Sequence, residues 1–183
     1  MEGTLIVQAK AGDRRAFEEL IRAYAPRIYR TAYGFLRNVE EAADACQETF
    51  YRAYRSFARF DEKRSFYPWI YQILKNLCIN RTRARKRLAW SAVPVENAKS
   101  GYADPETELL RKEAAQSVQK ALDRLPPMHR EILILRTYDG ASYAEIAEML
   151  SIPQGTVMSR LYNARMKLRG ILESMEGEGT HGV

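Results

Sequence analysis

Residues Ser142–Arg169, SYAEIAEMLSIPQGTVMSRLYNARMKLR, read as two helices joined by a tight turn. Ser142 followed by Glu145 three residues later is a capping box, so a helix is expected to start at Tyr143. Ile146, Ala147 and Leu150 give it an apolar face, and Ser151-Ile152-Pro153 ends it. A proline in the first turn suits the helix that follows. There Val157, Leu161, Ala164, Leu168 and Ile171 recur at steps of four and three, an apolar stripe of helical period. The opposite arc carries Met158, Ser159, Tyr162, Asn163 and Met166, with Arg160, Arg165, Lys167 and Arg169 on or beside it. No acidic residue lies between Thr156 and Ile171. A short first helix, a turn and a second helix with a polar, basic outer face make a helix-turn-helix whose second helix would enter a DNA major groove. A plain helical hairpin with a solvated basic side fits the same pattern.

Ahead of this stretch, LDRLPPMHREILILRTYDG places Leu122, Leu125, Ile132, Leu133 and Leu135 so that two further helices back the motif. Pro127 opens the second of these and Gly140 suits its end. The whole pattern, LP…R-EI-L-LR…DG-S-AEIAEML-IP-GTV-SRL-ARMKLR, resembles the fourth conserved region of bacterial sigma factors, and most nearly that of the extracytoplasmic-function (ECF) group. Carried onto this chain, the resemblance implies that Thr156, Met158, Ser159, Arg160, Tyr162, Asn163 and Arg165 meet the minus-35 promoter element. Many family members have arginine where this chain has Met158 and Asn163, so its preferred bases are expected to differ. Methionine offers an apolar contact to a thymine methyl, and asparagine can pair bidentately with adenine.

Upstream, the N-terminal half is helical throughout. Asp13 can cap a helix carrying Phe17, Leu20 and Ile21, and Pro26 is expected to open a second one with Ile28, Tyr29, Ala32, Tyr33 and Leu36 inward. A third is expected from about Glu40 to Phe57, and a fourth from Phe66 to about Lys86, after the charged loop ARFDEKRS and with Ser65 as its cap. From Leu88 to about Asp104 prolines and Ser-Gly interrupt any stripe, which reads as a flexible linker. The expectation is therefore an all-α chain of two small helical domains. Residues 1–88 form an N-terminal bundle, 89–105 the linker, 106–175 the helix-turn-helix domain and 176–183 a polar tail. The domains share no obvious matching apolar surface, and the linker is expected to be flexible in the free protein and ordered in holoenzyme.

The third predicted helix carries Asp44-x-x-Gln47-Glu48-x-Phe50. Ala42, Ala45, Cys46, Thr49 and Phe50 can line its inner face, leaving Asp44, Gln47, Glu48 and Arg55 off that face. Taken alone, such charges are usually a solvated side. The run resembles the D-x-x-Q-E-x-F signature of the second conserved region of ECF factors, which docks on the coiled coil of the polymerase clamp. The resemblance implies a core-polymerase role for Asp44, Gln47, Glu48, Phe50 and Arg55. Carboxylates and an amide on a rigid helix suit an arginine-rich partner helix.

The fourth predicted helix, SFYPWIYQILKNLCINRTRARKR, joins aromatics to a basic end. Phe66, Ile70, Ile73 and Leu77 are read as its core stripe, Trp69 and Asn76 as one flank, and Tyr71 and Lys75 as the far side. Rings beside cations suit a single DNA strand, offering π-faces to bases and charge to phosphates. Core packing alone is the alternative for Phe66 and Trp69, and the negative end of the helix dipole accounts for one or two of the basic residues. The run is similar to the family's F-x-T-W-L-x-x-I-x-x-N, with Pro68 where threonine is usual. That implies minus-10 recognition and melting by Arg59, Phe60, Lys63 and Arg64 of the loop, with Phe60 as a stacking ring. Trp69 and Asn76 would continue the surface, and Arg81, Arg83 and Arg85 would track the duplex end.

The net charge of +6 and pI near 9.4 favour a polyanionic partner. Cys46 and Cys78 make no metal spacing or disulfide framework and are read as buried thiols. His129 and His181 have no triad or metal partner nearby, and there is no phosphate-binding glycine loop. No enzyme activity, metal, cofactor or small-molecule substrate is expected. With no long apolar run and no signal peptide, a soluble cytoplasmic protein is expected. The resemblance implies a promoter-specificity subunit whose partners are core RNA polymerase (clamp coiled coil and flap), promoter DNA and an anti-sigma factor. A stand-alone helix-turn-helix regulator is the alternative, and a decoy that binds an anti-sigma factor but not DNA is a third class.

Overall fold

A computed structural model describes residues 2–89 and 116–179; among these every regular element is helical. Helix α1 spans Glu2–Lys10, α2 Arg14–Leu36, α3 Val39–Ser56 and α4 Phe66–Ala89, with a 3-10 turn at Phe57–Arg59. Helix α5 covers residues 116–124 as described. Then come α6 (Pro127–Ile134), a π-helical turn (Leu135–Asp139), α7 (Tyr143–Leu150) and α8 (Gln154–Gly179). The expected linker falls almost wholly outside the described residues, as do Leu109, Leu110 and Ala114 of the renewed periodicity.

Local chemistry explains where most of these helices begin and end. Asp13 Oδ1 accepts the N–H of Arg15 at 2.8 Å and of Ala16 at 3.4 Å, capping α2. Asn38 Oδ1 does the same for Glu41 at 2.8 Å, starting α3. Gly140, at φ +75°, ends the π-helical turn in the left-handed region that glycine tolerates. The capping box forms as expected: Glu145 N–H donates to Ser142 Oγ, and Ser142 N–H donates to the Glu145 carboxylate at 2.8 Å. Ser151 turns the chain between α7 and α8 at φ +53°.

Four expectations are corrected. Pro26 does not open a helix; it lies inside one continuous α2. It leaves the carbonyl four residues back without its usual donor. The helix continues because Phe17 and Leu20 before it and Ile28, Ala32 and Phe35 after it are buried in the same core. Helix α1 extends the helical N-terminal half ahead of Asp13, and α8 runs on to Gly179, into the stretch expected to be a polar tail. Cys46 is only half-buried, with Sγ 3.8 Å from Ala25 O, whereas Cys78 is fully buried. Burial pushes these thiols up to about 11 and about 12, so neither is a thiolate at neutral pH.

The fourth correction concerns the domains, which are docked on each other and share one apolar core. The far side of α4 is not solvated: Tyr71 is fully buried and donates its hydroxyl to Glu131 Oε1 of α6 at 2.7 Å. Lys75 Nζ meets the same carboxylate at 2.6 Å. Arg27 of α2 binds Asp139 and Glu145, and Gln72 Nε2 of α4 donates to Met149 O of α7 at 2.7 Å. Arg130 Nη2 of α6 donates to Phe35 O at 3.1 Å. No matching apolar surface shows in the sequence because much of this seam is polar groups paired across the chain.

Candidate polymerase and nucleic-acid interfaces

Helix α8 divides as its periodicity predicts. Val157, Leu161 and Ala164 are buried against α6 and α7, with Leu168 and Ile171 half-buried. On the outer arc Met158 is 57% and Tyr162 65% exposed, large apolar surface that a soluble helix has no packing reason to present. Ser159, Asn163 and Arg165 are exposed beside them, and Thr156 and Arg160 are half-buried. Arg160 and Lys167 lie on the flank toward α6. Together with burial, they hold the imidazole of His129 below its usual range. His129 is buried and kept neutral, which marks it as packing rather than chemistry.

On α3 the side away from the core shows Asp44, Gln47 and Arg55 exposed and Glu48 half-buried. With Tyr51 and Arg81 the first three acidic and amide residues line a shallow polar depression. Glu48 Oε1 accepts from Arg52 Nε at 2.6 Å, an exposed pair one helical turn apart and therefore weak. Phe50, placed by sequence in the polymerase-binding set, is 6% exposed and belongs to the core, where it supports this face from beneath. Sequence reasoning missed Tyr51 and Tyr54, which are 57% and 48% exposed. They continue the Asp44–Gln47–Glu48 face by one and two turns, with Phe17, Ile21 and Phe50 forming a groove beneath them. Their spacing of three from Glu48 and from Tyr51 was the available signal.

The loop before α4 departs furthest from expectation. Phe60 is 2% exposed. Its ring packs 4.8 Å from Trp69, 5.7 Å from Phe57 and 6.0 Å from Phe66, centroid to centroid. Lys10 Nζ donates to its carbonyl at 3.0 Å and meets Glu62 at 2.9 Å, fastening the loop to α1. Phe60 is thus a core ring and not an accessible stacking platform, because the aromatic cluster takes it inward. Arg59, Lys63 and Arg64 remain exposed around it, and Trp69 is half-buried with one side open.

Further along α4, Asn76 and Arg83 are exposed. Two of the three basic residues are already engaged. Arg81 Nη1 donates to Glu41 O at 3.0 Å, and Arg85 Nη1 to Leu36 O at 3.2 Å, serving a carbonyl that the end of α2 leaves open. Among the described residues no group of histidine, cysteine or carboxylate side chains could hold a metal ion, and no helix is long and apolar enough to cross a membrane.

Two family matches divide along the same lines as the structure. Residues 20–88 match Sigma-70 region 2 and residues 115–168 match Sigma-70, region 4. The chain is 35% identical over 179 residues to the ECF RNA polymerase sigma factor SigW of Bacillus subtilis, covering 93% of this chain and 96% of that one. It is 34% identical over 180 residues to the RNA polymerase sigma-H factor of Pseudomonas aeruginosa, covering 93% of each. Among solved structures, CnrH in complex with the cytosolic domain of CnrY is similar, with TM-score 0.68, 25% identity and coverage of 94% and 97%. So is the sigma factor RpoE in complex with the anti-sigma factor NepR from Bartonella quintana, with TM-score 0.58, 25% identity and coverage of 86% and 96%. Near full-length identity to such relatives, with both regions in order on one all-helical chain, makes this protein a member of the ECF group of the sigma-70 family.

Proposed function

We propose that this chain is an alternative sigma factor that directs core RNA polymerase to its own promoters. In this reading α3 binds polymerase, α4 and its preceding loop open the minus-10 element, and α8 reads the minus-35 element. The observation that carries it is the pairing of two exposed faces on one chain: the acidic and amide face of α3, edged by Tyr51 and Tyr54, and the basic outer arc of α8. The tyrosines would supply apolar contact at the centre of a polymerase interface, a role aromatics commonly fill. Arg59, Lys63 and Arg64 would hold phosphates while Trp69 and Asn76 meet bases, with Phe60 supporting Trp69 from within.

The protein would work in the cytoplasm, with an anti-sigma factor as its inhibitor, as in the RpoE–NepR complex it resembles. A stand-alone regulator is not favoured, since such a protein has no use for a region 2 domain.

Run-off transcription with purified core polymerase and genomic promoter fragments tests this proposal. The wild-type chain should yield discrete transcripts. Asp44→Ala with Glu48→Ala should weaken core binding, and pre-opened bubble templates should not rescue that defect. Absence of any promoter-dependent product from the wild-type chain would overturn the assignment.

A further inference from the structure

We infer that Lys10, in the last turn of α1, is a positioning residue for the minus-10 loop: it anchors the loop's hinge and neutralises an acidic side chain within it. The positioning stands on geometry; its consequence for promoter opening rests on the sigma-factor reading above.

The first observation is where Lys10 comes from. The match to Sigma-70 region 2 starts at residue 20, so α1 lies ahead of it. Helix α1 is nevertheless fixed on the N-terminal bundle along its length. Ile6 is buried, Leu5 and Ala9 pack against the core, and the Tyr24 hydroxyl donates to Glu2 Oε2 at 2.7 Å. At the other end Gly12, at φ +98°, closes the helix. Its N–H donates to Ala9 O at 3.1 Å, and the Asp13 N–H donates to Gln8 O at 3.0 Å before Asp13 caps α2. A lysine in the last turn suits the helix dipole. The dipole does not account for its reach to two groups of a loop 50 residues away.

The second observation is what Lys10 holds. Phe60 is the hinge where the 3-10 turn gives way to extended backbone, at φ −66° and ψ 131°. Its ring is buried, and its N–H donates to Phe57 O at 2.9 Å. Lys10 Nζ fixes the carbonyl of the same residue at 3.0 Å. Beyond the hinge the chain folds back on Asp61. The Asp61 carbonyl accepts the Arg64 N–H and its Oδ1 accepts the Lys63 N–H, each at 3.0 Å. The exposed cations Arg59, Lys63 and Arg64 therefore take their bearing from Phe60.

The third observation is charge. The loop offers three cations to a polyanion, yet it sets Glu62 among them with its side chain 45% exposed. An uncompensated carboxylate there repels phosphate. Lys10 Nζ, 2.9 Å from Glu62 Oε1, cancels it from outside the loop. Both partners are partly solvated, which holds the effect of the pair alone to a few-fold.

The test uses the full chain and three variants. Lys10→Met keeps the stem but removes both contacts, Lys10→Arg keeps charge and donors, and Lys10→Met with Glu62→Gln also removes the carboxylate left behind. Circular dichroism establishes that each is folded at the assay temperature. In the free chain, Lys10→Met should speed amide hydrogen exchange at Lys63 and Arg64 about ten-fold, while Lys10→Arg stays within about two-fold of wild type.

With core polymerase and a duplex promoter active in the run-off assay, Lys10→Met should slow open-complex formation about ten-fold, as the competent loop geometry is depopulated. Core binding and affinity for a minus-35 duplex fragment should stay within about two-fold, since both surfaces lie elsewhere. The double variant should recover about three-fold of the loss, which a merely structural role for Lys10 would not give.

Unchanged exchange in folded Lys10→Met overturns the positioning, and an unchanged rate overturns its role in opening. A Lys10→Arg variant as impaired as Lys10→Met overturns both. Full recovery in the double variant rules out the carbonyl anchor, and no recovery rules out the neutralisation. A wild-type chain inactive with core polymerase overturns the sigma-factor reading and the role in opening together, while exchange still decides the positioning.

Discussion

Phe60→Ala separates the two roles open to an aromatic residue in the minus-10 loop. A surface ring that stacks on an unpaired base is worth about 1–3 kcal/mol of DNA binding and almost nothing to folding. Phe60 is instead closed in by Trp69, Phe57 and Phe66 at 4.8–6.0 Å. Removing such a buried ring costs about 3–5 kcal/mol, the transfer of its atoms to water plus the cavity left behind. The lower end applies here, because half-buried Trp69 can settle partly into the gap. A loss of about 3 kcal/mol shifts the folding equilibrium roughly 100-fold.

In a thermal melt followed by circular dichroism, that loss lowers the midpoint by about 6–12 °C if the docked domains melt together, and about twice as much if the N-terminal domain melts alone. Transcription at low temperature, where the variant is still folded, should fall little. A stability unchanged to within about 0.5 kcal/mol, combined with lost activity on duplex promoters, would return the ring to the DNA surface.

Asn163→Ala should cost about 1–3 kcal/mol at one position of a minus-35 library, whereas Arg165→Ala should weaken all sequences alike and reduce the salt slope by about 1. Equal base preferences before and after the Asn163 change would remove it from the reading set. Ser142→Ala breaks the capping box and should lower stability by about 1 kcal/mol in urea, a loss absent if the box contributes nothing. Acid should destabilise the fold in two stages. The His129 imidazole is held low by burial and by Lys167 and Arg160, so the unfolded chain takes up that proton first and stability falls as pH drops below about 6.5. For Glu145, burial acts upward but is outweighed by the Ser142 N–H and the Arg27 guanidinium, which hold the carboxyl low. Its contribution is complete above about pH 4.3 and is lost as pH falls through the lower folded value. A urea midpoint equal at pH 7.5 and 5.5, or the same fall in His129→Gln, would contradict the first stage.

Elements whose causes are local are legible in the chain's residues alone. Ser142 and Glu145 are three residues apart, so their capping box is readable wherever the chain later folds. The stripe Val157–Leu161–Ala164 names the buried side of α8, and by exclusion the exposed side that carries Met158, Tyr162 and Asn163. The acidic and amide face of α3 is visible for the same reason, although its two tyrosines went unremarked.

What covers each face depends on contacts between distant stretches of the chain. Arg27 and Asp139 are 112 residues apart, and neither has a local pattern that announces the other. Tyr71 and Lys75 sit on the polar side of α4, which periodicity assigns to solvent; Glu131 of another domain pairs them there instead. Phe60 and Trp69 look alike in a loop-and-helix motif, yet the cluster takes one ring inward and leaves the other partly open. Periodicity reports which face of a helix avoids water. It does not report where a paired polar group becomes as buried as an apolar one, because that depends on a partner supplied by a distant stretch of chain.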